Sequence, residues 1–389
     1  MRVLHTADWH FGRTIEGRDR HDEHEAFIDE LCGIVHEEEI DVVLIAGDIY
    51  DSVNPPAKSE RLFYDSLSRL SDFGKRTVVA ISGNHDHPER LSAASAMLER
   101  HSVYIQGQPT LHPLTVDIKA ADQTLCVPWL PYPSESRLKE VLAEEADDKV
   151  IRDAYNQKIR WMFGELTKNL SKDHVNIAMS HVFAAGGNGS DSERPIEVGG
   201  SYTIASDSFP SNVDYTALGH LHRPQTLKHT IRPARYAGSP LAFSFGERGV
   251  AKSVTVLDIT PGHEPDIREI PISSGKQLLR WEAVNGFDEV FHWMNERRDF
   301  GAWIDLKVHL EQAPSAETIA KIKEHYPGIL IIQPVFPDMQ SPETRRAELS
   351  IRELFDMFYK KQMGGAEPDD RLRSLFIELV EEDPTDETH

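Results

Sequence analysis

The sequence contains little cysteine and no long apolar run. Cys32 and Cys126 are its two cysteines, which excludes a disulfide framework and a CxxC zinc site and fits a reducing compartment. No stretch reaches about 18 consecutive apolar residues, so a membrane-spanning helix is excluded. The first eight residues, MRVLHTAD, place polar and charged groups where a secretory signal needs an apolar core. We therefore expect a cytoplasmic protein.

Basic residues are scarce relative to acidic ones. The chain has 42 Lys and Arg against 64 Asp and Glu, which gives a formal net charge of −22. This balance disfavours a broad basic surface for nucleic acid. It does not disfavour a site in which carboxylates and histidines hold metal cations, because the cations offset the local negative charge. The 19 histidines supply many candidate ligands for such a site.

The 389 residues are enough for about two to three domains. Short apolar runs rich in Val, Ile and Ala predict buried strands, and amphipathic segments between the early runs predict helices. This alternation predicts an α/β core. The predicted strands are residues 3–6, 41–46, 77–82, 175–180, 215–218, 235–237 and 253–259, and the predicted helices are residues 24–38 and 59–70.

Three segments depart from this alternation. Residues 134–170 show a long helical pattern, and we interpret the acidic stretch within it as a solvated helix face. Residues 184–202 are rich in Gly and Ser, which is typical of a long mobile loop. Residues 261–274 have the composition of a connector.

The C-terminal part predicts a second, smaller domain and a helical tail. Residues 278–336 show the order strand, helix, strand, helix, strand, and a polar, proline-containing linker follows. In the tail, one apolar helical stripe runs from Ile351 to Phe358 and a second runs from Leu372 to Val380. Two short helices bury such stripes poorly by themselves. They therefore either dock on a partner or pack back on their own chain.

Carboxylates and a histidine follow the first two predicted strands. Asp8 and His10 lie two residues apart, so their side chains point the same way in an extended segment. Alone, this pair is more typical of ordinary surface groups. Asp48 lies where open α/β sheets bind ligands, and Asp51 comes three residues later. The alternative for Asp48 is an ordinary turn or helix cap.

An amide and four histidines follow the next three strands. Asn84 can offer a neutral amide oxygen to a hard cation, and His85 beside it is free to act on a substrate. A plain turn is the alternative for this pair. His181 ends the strand at 175–180, where a structural role is the alternative. His220 and His222 lie two residues apart, so they can converge on one side of an extended chain.

Taken together, these motifs predict a metal centre. Five apolar runs are each followed at once by Asp, His or Asn, which provides two carboxylates, one amide and four histidines as ligands. This mixed nitrogen and oxygen set suits Mn²⁺, Fe²⁺ or Zn²⁺ better than Ca²⁺. Seven ligands exceed what one tetrahedral ion takes. Two divalent ions ~3.5–4 Å apart that share a carboxylate fit the set, and such pairs act on phosphoryl groups.

The motifs D-x-H, G-D-x-x-D, G-N-H-D, H and G-H-x-H, in this order, resemble those of the calcineurin-like metallophosphoesterase superfamily. Further segments, HTADWHFG at 5–12, SER at 192–194, ALGHLHRPQ at 217–225 and YAGSPLAFSF at 236–245, are similar to its bacterial DNA nuclease members. The resemblance covers essentially the whole chain. It implies a four-layer α/β sandwich over residues 1–270, a small α/β capping domain for DNA recognition at 276–338 and a C-terminal helical pair at 345–383.

The resemblance also implies a role for each motif residue. One metal ion would be held by Asp8, His10, Asp48 and His222, and the other by Asp48, Asn84, His181 and His220. Asp48 would thus bridge the two ions. His85 would be the catalytic histidine that is not a ligand, and Asp51 matches the position that orients this histidine in related phosphatases.

The implied activity is that of a DNA nuclease with two divalent ions, Mn²⁺ being favoured. The family suggests ATP-dependent double-strand exonuclease and single-strand or hairpin endonuclease activity in DNA repair and recombination. It also suggests a nucleoid-associated homodimer within a heterotetramer. In that complex the tail docks on a large SMC-like coiled-coil ATPase, which supplies much of the DNA-binding surface. Two alternatives remain: a phosphatase or cyclic-nucleotide phosphodiesterase of the same superfamily, and a scaffold subunit whose metal site is idle.

Overall fold

The computed structural model describes residues 1–138, 155–193, 203–336, 351–362 and 368–381. The chain divides into two compact units. The first comprises Met1–Arg280, Asp299–Asp305 and Pro327–Ile331, and the second comprises Trp281–Arg298, Leu306–Tyr326 and Ile332–His389. Within the described ranges, no helix has both the length and the apolar character needed to cross a membrane.

The first 280 residues contain most of the strands. The strands are β1 (Arg2–Thr6), β2 (Thr14–Ile15), β3 (Arg18–Asp19), β4 (Val42–Ala46), β5 (Thr77–Ile81), β6 (Val103–Gln106), β7 (Leu114–Ile118), β8 (Gln123–Val127), β9 (Trp129–Leu130), β10 (Val175–His181), β11 (Tyr215–Gly219), β12 (Gln225–Thr226), β13 (Ala234–Tyr236), β14 (Ser253–Asp258) and β15 (Asp266–Pro271). The helices of the same part are α1 (His21–Glu37), α2 (Ala57–Ser71), α3 (Pro88–Ser92), α4 (Ser95–Leu98) and α5 (Tyr155–Thr167).

Two mixed sheets form the centre of the first unit. One has the strand order β15-β14-β1-β4-β5-β6, in which β1, β4, β5 and β6 run parallel and β14 and β15 are antiparallel additions. The other has the order β12-β13-β11-β10-β8-β7, with β9 also paired to β10. In it β8, β10, β11 and β13 run parallel. Parallel strands end at the same edge of a sheet, which brings the following loops together.

Alternation of side chains along these strands produces four layers. In β4, Val43 and Ile45 point into a core shared with α1 and α2. Leu44, between them, points into a second core shared with Met179 of β10, so the two sheets pack face to face. Ala178 of β10 points the other way, into a third core shared with α5. The order helices, sheet, sheet, helix confirms the predicted α/β sandwich.

The two sheets approach each other closely at the ends of their strands. A Cβ atom on Gly219, at the end of β11, would lie 1.9 Å from the carbonyl oxygen of Ala46, at the end of β4. A Cβ atom on Gly83, after β5, would lie 2.1 Å from Oδ1 of Asp48. Only glycine allows backbone contact this close. The glycines of the motifs therefore permit the ends of strands from both sheets to meet.

The C-terminal part forms a three-stranded sheet in the order β16 (Leu278–Ala283), β17 (Trp303–His309), β18 (Ile329–Val335). Helices α6 (Phe287–Asn295) and α7 (Ala316–His325) lie between the strands in sequence, as the pattern predicts. In the second unit, the ring of Trp281 packs edge-on against Trp293 at 5.3 Å between centroids and tilted against Tyr326 at 5.7 Å. These aromatic contacts give that unit a core of its own.

The tail forms two helices, α8 (Ile351–Gln362) and α9 (Asp370–Glu381). They contact each other through a stacked pair, Phe355 and Phe376, with ring centroids 4.1 Å apart, and Arg373 donates to Asp356 at 2.8 Å. Ile351 and Phe358 remain more than half exposed. The predicted helical pair therefore forms, and part of its apolar stripe still faces solvent.

The prediction for residues 261–274 is wrong in part, because they are more than a connector. They contain β15, which pairs with β14 along its whole length. The strand lies at the edge of the sheet and exposes one side, so charged residues such as Arg268 and Glu269 interrupt its apolar pattern. In the predicted helical segment 134–170, helix occupies Tyr155–Thr167, and residues 139–154 lie outside the described part of the chain.

Candidate metal centre

Each predicted ligand ends or follows a strand at the edge where the two sheets meet. The first two loops are joined by the backbone, because the Asp8 N–H donates to Gly47 and the His10 N–H donates to Asp48, both at 3.0 Å. Asp8 and Asp48 adopt left-handed φ values of 55° and 50°. Such conformations cost about 1–3 kcal/mol outside glycine and typically persist at functional sites. The surrounding hydrogen bonds hold both carboxylates in these positions.

The structure brings the seven predicted ligands into two adjacent groups. Asp8, His10 and His222 offer ligand atoms that all lie within 4.8 Å of one another, and Asp48, His181 and His220 do the same. The Asn84 amide oxygen joins the second group, 3.0 Å from His181 Nε2 and 3.2 Å from His220 Nδ1. The residues come from loops as far apart as 212 positions in the sequence, as with His10 and His222.

Asp48 lies between the two groups. Its Oδ2 is 3.6 Å from His10 Nε2 in the first group and 3.4 Å from His181 Nε2 in the second. Burial opposes ionisation of this carboxyl, but the neighbouring His181 and His85 rings outweigh burial and hold the pKa of Asp48 well below its ordinary value. Burial raises the pKa of Asp8, and the Asp48 carboxylate raises it further.

The donor set fits divalent transition-metal ions. His10 Nε2 and His222 Nε2 face each other at 3.0 Å in a buried setting, where two imidazole nitrogens need a proton or a cation between them. Burial lowers the pKa of His10 and of His220 well below the ordinary value, so both rings are neutral. Neutral imidazoles with carboxylate and amide oxygens are the ligands that Mn²⁺, Fe²⁺ and Zn²⁺ take. The residues present are therefore suited to two such ions.

His85 borders both groups. Its Nδ1 lies 2.7 Å from the main-chain carbonyl oxygen of Asp51, which accepts a hydrogen bond from it. Its main-chain N–H donates to Asp48 Oδ1 at 2.9 Å. This arrangement turns Nε2 towards the ligand groups, 3.9 Å from Asp48 Oδ2. The ring is thus close enough to act on a group held by the metal centre without being one of the ligands.

Asp51 contacts His85 through its main chain rather than its carboxylate. Its Oδ1 lies 3.9 Å from His85 Nδ1 and 3.7 Å from His10 Nδ1, both too long for hydrogen bonds. The carboxylate instead accepts from the Arg13 guanidinium at 3.1 Å. The sequence pattern does not distinguish a side-chain contact from a main-chain contact, so the predicted orienting role needs this refinement.

Two residues without a predicted role hold the loop that carries Asn84 and His85. The Asp86 carboxylate accepts from the main-chain N–H groups of Gly83, Ile49 and Tyr50 at 2.8, 3.2 and 2.9 Å. Arg137 donates to the carbonyl oxygens of Gly83 and Asp86 at 3.4 and 3.0 Å. Asp86 is visible in the G-N-H-D motif, whereas nothing in the sequence near Arg137 indicates a partner about 50 residues away.

The prediction of a mobile loop at residues 184–202 is wrong for its described part. Ser192 is buried, and its Oγ lies 2.5 Å from His222 Nδ1. Glu193 accepts from the His222 N–H at 2.8 Å, and Arg13 donates to the Ser192 carbonyl at 2.8 Å. Gly and Ser indicate mobility only when no tertiary contact fixes them. Residues 194–202 lie outside the described part of the chain.

The chain matches known families over most of its length. Residues 1–224 match the family described as Calcineurin-like phosphoesterase, and residues 274–363 match the one described as Type 5 capsule protein repressor C-terminal domain. The chain is 50% identical to the SbcD subunit of the SbcCD nuclease of Bacillus subtilis, over 98% of each chain. The chain belongs to the SbcD family of calcineurin-like phosphoesterases.

A second SbcD relative is more distant. The SbcD subunit of the SbcCD nuclease of Rhodobacter capsulatus is 34% identical over 73% of this chain and 72% of its own length. The predicted resemblance to the calcineurin-like metallophosphoesterases, and to nuclease members among them, is therefore confirmed.

Proposed function

We propose that this chain is the catalytic subunit of a metal-dependent DNA nuclease that hydrolyses phosphodiester bonds. The observation that carries the proposal is the pair of ligand groups on either side of the Asp48 carboxylate, with His85 beside both. An isolated metal site has no need of a shared carboxylate or of a free histidine. Two cations at such a site, with a positioned acid or base, constitute the apparatus for phosphoryl transfer.

In this proposal the seven ligands form two sets that share Asp48. The first set is Asp8, His10, Asp48 and His222, and the second is Asp48, Asn84, His181 and His220. When bound, the two cations, which we propose to be Mn²⁺, would neutralise charge on the phosphoryl oxygens and activate the attacking water. The nitrogen-rich set supports a transition metal over Mg²⁺ or Ca²⁺.

His85 would act on the departing oxygen. The carbonyl oxygen of Asp51 accepts the Nδ1 proton, which leaves Nε2 to face the ligand groups. From there Nε2 can hold a proton for the leaving oxygen or donate a hydrogen bond to a phosphoryl oxygen. Asp51 would orient this ring through its main chain, and its carboxylate would position Arg13.

The names of the relatives support DNA as the substrate and a complex with an SbcC-like ATPase as the working form. We propose double-strand exonuclease and single-strand or hairpin endonuclease activity that depends on an SMC-type partner. The formal net charge of −22 fits a subunit whose partner supplies much of the DNA-binding surface. We further propose a homodimer within a heterotetramer, located in the cytoplasm at the nucleoid.

The division of labour along the chain is also proposed. Residues 1–270 would carry catalysis, residues 276–338 would form the capping domain that recognises DNA, and residues 345–383 would dock on the ATPase. The described part of the tail supports the last assignment, because its two helices stack on each other and leave Ile351 and Phe358 more than half exposed.

The central experiment measures cleavage of end-labelled duplex and single-stranded DNA by the purified chain and by its complex with the ATPase. We expect Mn²⁺-dependent cutting that EDTA abolishes and that His85→Ser reduces at least 100-fold, on the order expected for loss of a general acid. His36→Ser, on an exposed face of α1, is the matched control and should cut like the wild type. Hydrolysis of a small phosphodiester without DNA cutting, even with the ATPase present, would favour a phosphatase or cyclic-nucleotide phosphodiesterase.

A second experiment tests the docking segment. A chain ending at Gln340 should keep its metal content and its hydrolysis of a small phosphodiester, and it should no longer co-purify with the ATPase. Co-purification at the full-length level would contradict docking by the tail. Loss of metal content would mean that the tail instead supports the fold of its own chain.

A further inference from the structure

The surroundings of His222 leave one of its polar atoms for a metal ion. Its N–H donates to Glu193 Oε1 at 2.8 Å, and its carbonyl oxygen accepts from the Ser239 N–H at 3.1 Å and from Lys252 Nζ at 3.0 Å. Ring atom Nδ1 lies 2.5 Å from Ser192 Oγ. The remaining atom, Nε2, faces His10. Both the main chain and the ring of this residue are therefore held in place.

Histidine can bind a metal through Nε2 only when that nitrogen carries a lone pair, so its proton must sit on Nδ1. For His181 and His85 this is settled directly. Their Nδ1 atoms face the carbonyl oxygens of Ala46 at 2.9 Å and Asp51 at 2.7 Å, and a carbonyl oxygen only accepts. Nδ1 of His222 faces a serine hydroxyl instead, which can accept or donate. Ser192 alone therefore leaves the tautomer of His222 open.

A short chain of hydroxyl groups removes this ambiguity. Ser192 Oγ lies 2.9 Å from Ser190 Oγ, and Ser190 Oγ lies 2.7 Å from Glu193 Oε2. A carboxylate only accepts, so Ser190 donates to Glu193. Ser190 then accepts from Ser192, and Ser192 accepts from His222 Nδ1. One direction of donation thus satisfies all three contacts, and in that direction Nε2 carries the lone pair.

Another carboxylate near the ring does not replace this chain. Glu247 Oε1 lies 3.7 Å from His222 Nδ1, which is beyond hydrogen-bond distance, and it accepts from the Phe243 N–H at 3.1 Å. The other oxygen of Glu247 pairs with Lys252. The hydroxyl of Ser192 is the direct contact of Nδ1.

We propose that Ser192, Ser190 and Glu193 form a hydrogen-bond relay that fixes the ring tautomer of His222 and so prepares Nε2 to bind metal. These are positioning residues, because they act through His222 and contact neither the proposed ions nor the substrate. The inference rests on the proposed function, since it assumes that His222 is a ligand. Such outer contacts commonly change metal affinity 10- to 100-fold.

The first test measures Mn²⁺ binding to the metal-free full-length chain by titration calorimetry. We expect two ions per wild-type chain, and in Ser192→Ala a Kd raised about 10- to 100-fold for one ion and unchanged for the other. Ser190→Ala should weaken the same ion, because it breaks the relay and keeps the Ser192 contact. Ser244→Ala is the matched control, since it removes a hydroxyl that bonds to Asp191 in the same loop and leaves the relay intact.

The second test reads the tautomer directly and does not depend on any variant of the relay folding. Ring ¹⁵N shifts of metal-free wild-type protein, with His222 assigned through His222→Gln, should show a protonated Nδ1 and an unprotonated Nε2. In Ser190→Ala both tautomers should be populated.

The outcomes separate the relay from the function on which it rests. A wild-type chain that binds no Mn²⁺ would overturn the proposed function. Two ions bound equally well by wild type, Ser192→Ala and Ser190→Ala, or a wild-type His222 protonated at Nε2, would overturn the relay alone. An equal loss in Ser244→Ala would also overturn it, because tethering of the loop would then be the cause.

Discussion

At the scale of the residue, the chemistry of the site comes from buried groups that face one another. Asp8, Asp48, His10 and His220 are all nearly inaccessible to solvent. Burial of so many ionisable groups is costly unless charges are paired or hold cations. Asp48 stands out because it approaches both ligand groups, whereas His85 lies beside them and contributes no ligand atom to our proposed sets. The two residues should therefore fail in different ways when replaced.

Asp48→Asn should lose both metal ions, because the amide carries no charge and the shared ligand is weakened for each. His85→Ser should keep both ions and lose turnover at least 100-fold, since only the proton carrier is removed. Metal content by mass spectrometry after gel filtration, beside the cleavage rate, distinguishes the two variants. A fully active Asp48→Asn protein would contradict the bridging assignment.

Asp51→Asn should cost much less than His85→Ser. The main-chain carbonyl that holds the His85 ring is still present in this variant, so we expect a fall in kcat of about 10-fold or less against the 100-fold or more for loss of the histidine itself. Steady-state cleavage of a small phosphodiester measures both. If Asp51→Asn were as inactive as His85→Ser, the carboxylate would be the orienting group.

At the scale of the element, the site depends on loops that are tied to one another across the strand ends. Asp86 joins the loop after β5 to the loop after β4 through three main-chain N–H groups. Arg137 holds the same loop from outside. Glycines at the strand ends allow the close approach on which these contacts depend. The positions of Asn84 and His85 are therefore set by residues that carry no chemistry themselves.

Asp86→Asn should destabilise the protein by about 2 kcal/mol or more, because the amide group would direct donors at main-chain donors in a buried place. Urea unfolding in EDTA at pH 8 measures this change. That pH lies above the pKa of Asp86, which burial and the Asp48 carboxylate raise to about 6. The exposed Asp65→Asn is the control and should change stability by less than about 0.5 kcal/mol. Equal effects would contradict the linking role of Asp86.

At the scale of the whole molecule, folding buries histidines far from the proposed ligands. His24 on α1 has no hydrogen-bond partner for either ring nitrogen in the described structure, and it packs edge-on against Phe11 at 5.3 Å. Burial lowers its pKa from 6.5 to about 3, and Arg20 lowers it further. The other charged or titratable groups that influence it are Glu23, His21 and Asp19.

This burial predicts acid sensitivity that one substitution should reduce. The folded-state pKa of His24 is depressed, so its contribution is fully present above pH 6.5 and is lost as pH falls from 6.5 towards 3. The loss amounts to about 1.4 kcal/mol per pH unit for one proton taken up on unfolding. His24→Leu should flatten the slope of unfolding free energy against pH by about that amount, and the exposed His36→Leu should not. Urea unfolding of the metal-free protein between pH 5 and 8 measures the slopes, and parallel curves for wild type and His24→Leu would contradict the prediction.

How much of the site was predictable depends on the distance over which each contact acts. The candidate ligands were visible because Asp, Asn and His directly follow apolar runs, and a strand and its following loop are local features. Ser192, Glu193 and Arg137 were not visible, because their partners lie about 30 to 55 residues away along the chain. Edge strand β15 was missed for a related reason, since exposure on one side dilutes its apolar pattern.

The sequence by itself determined the kind of chemistry and the class of fold: an α/β core with carboxylate, amide and imidazole groups at its strand ends. Periodicity of apolar residues is enough for this, because it decides which face of each strand is buried. The tertiary structure alone decided that Asp48 lies between two ligand groups, that Asp51 holds His85 by its carbonyl oxygen and that a serine chain meets His222. Those facts depend on the order and close approach of strands in two sheets, which no local pattern encodes.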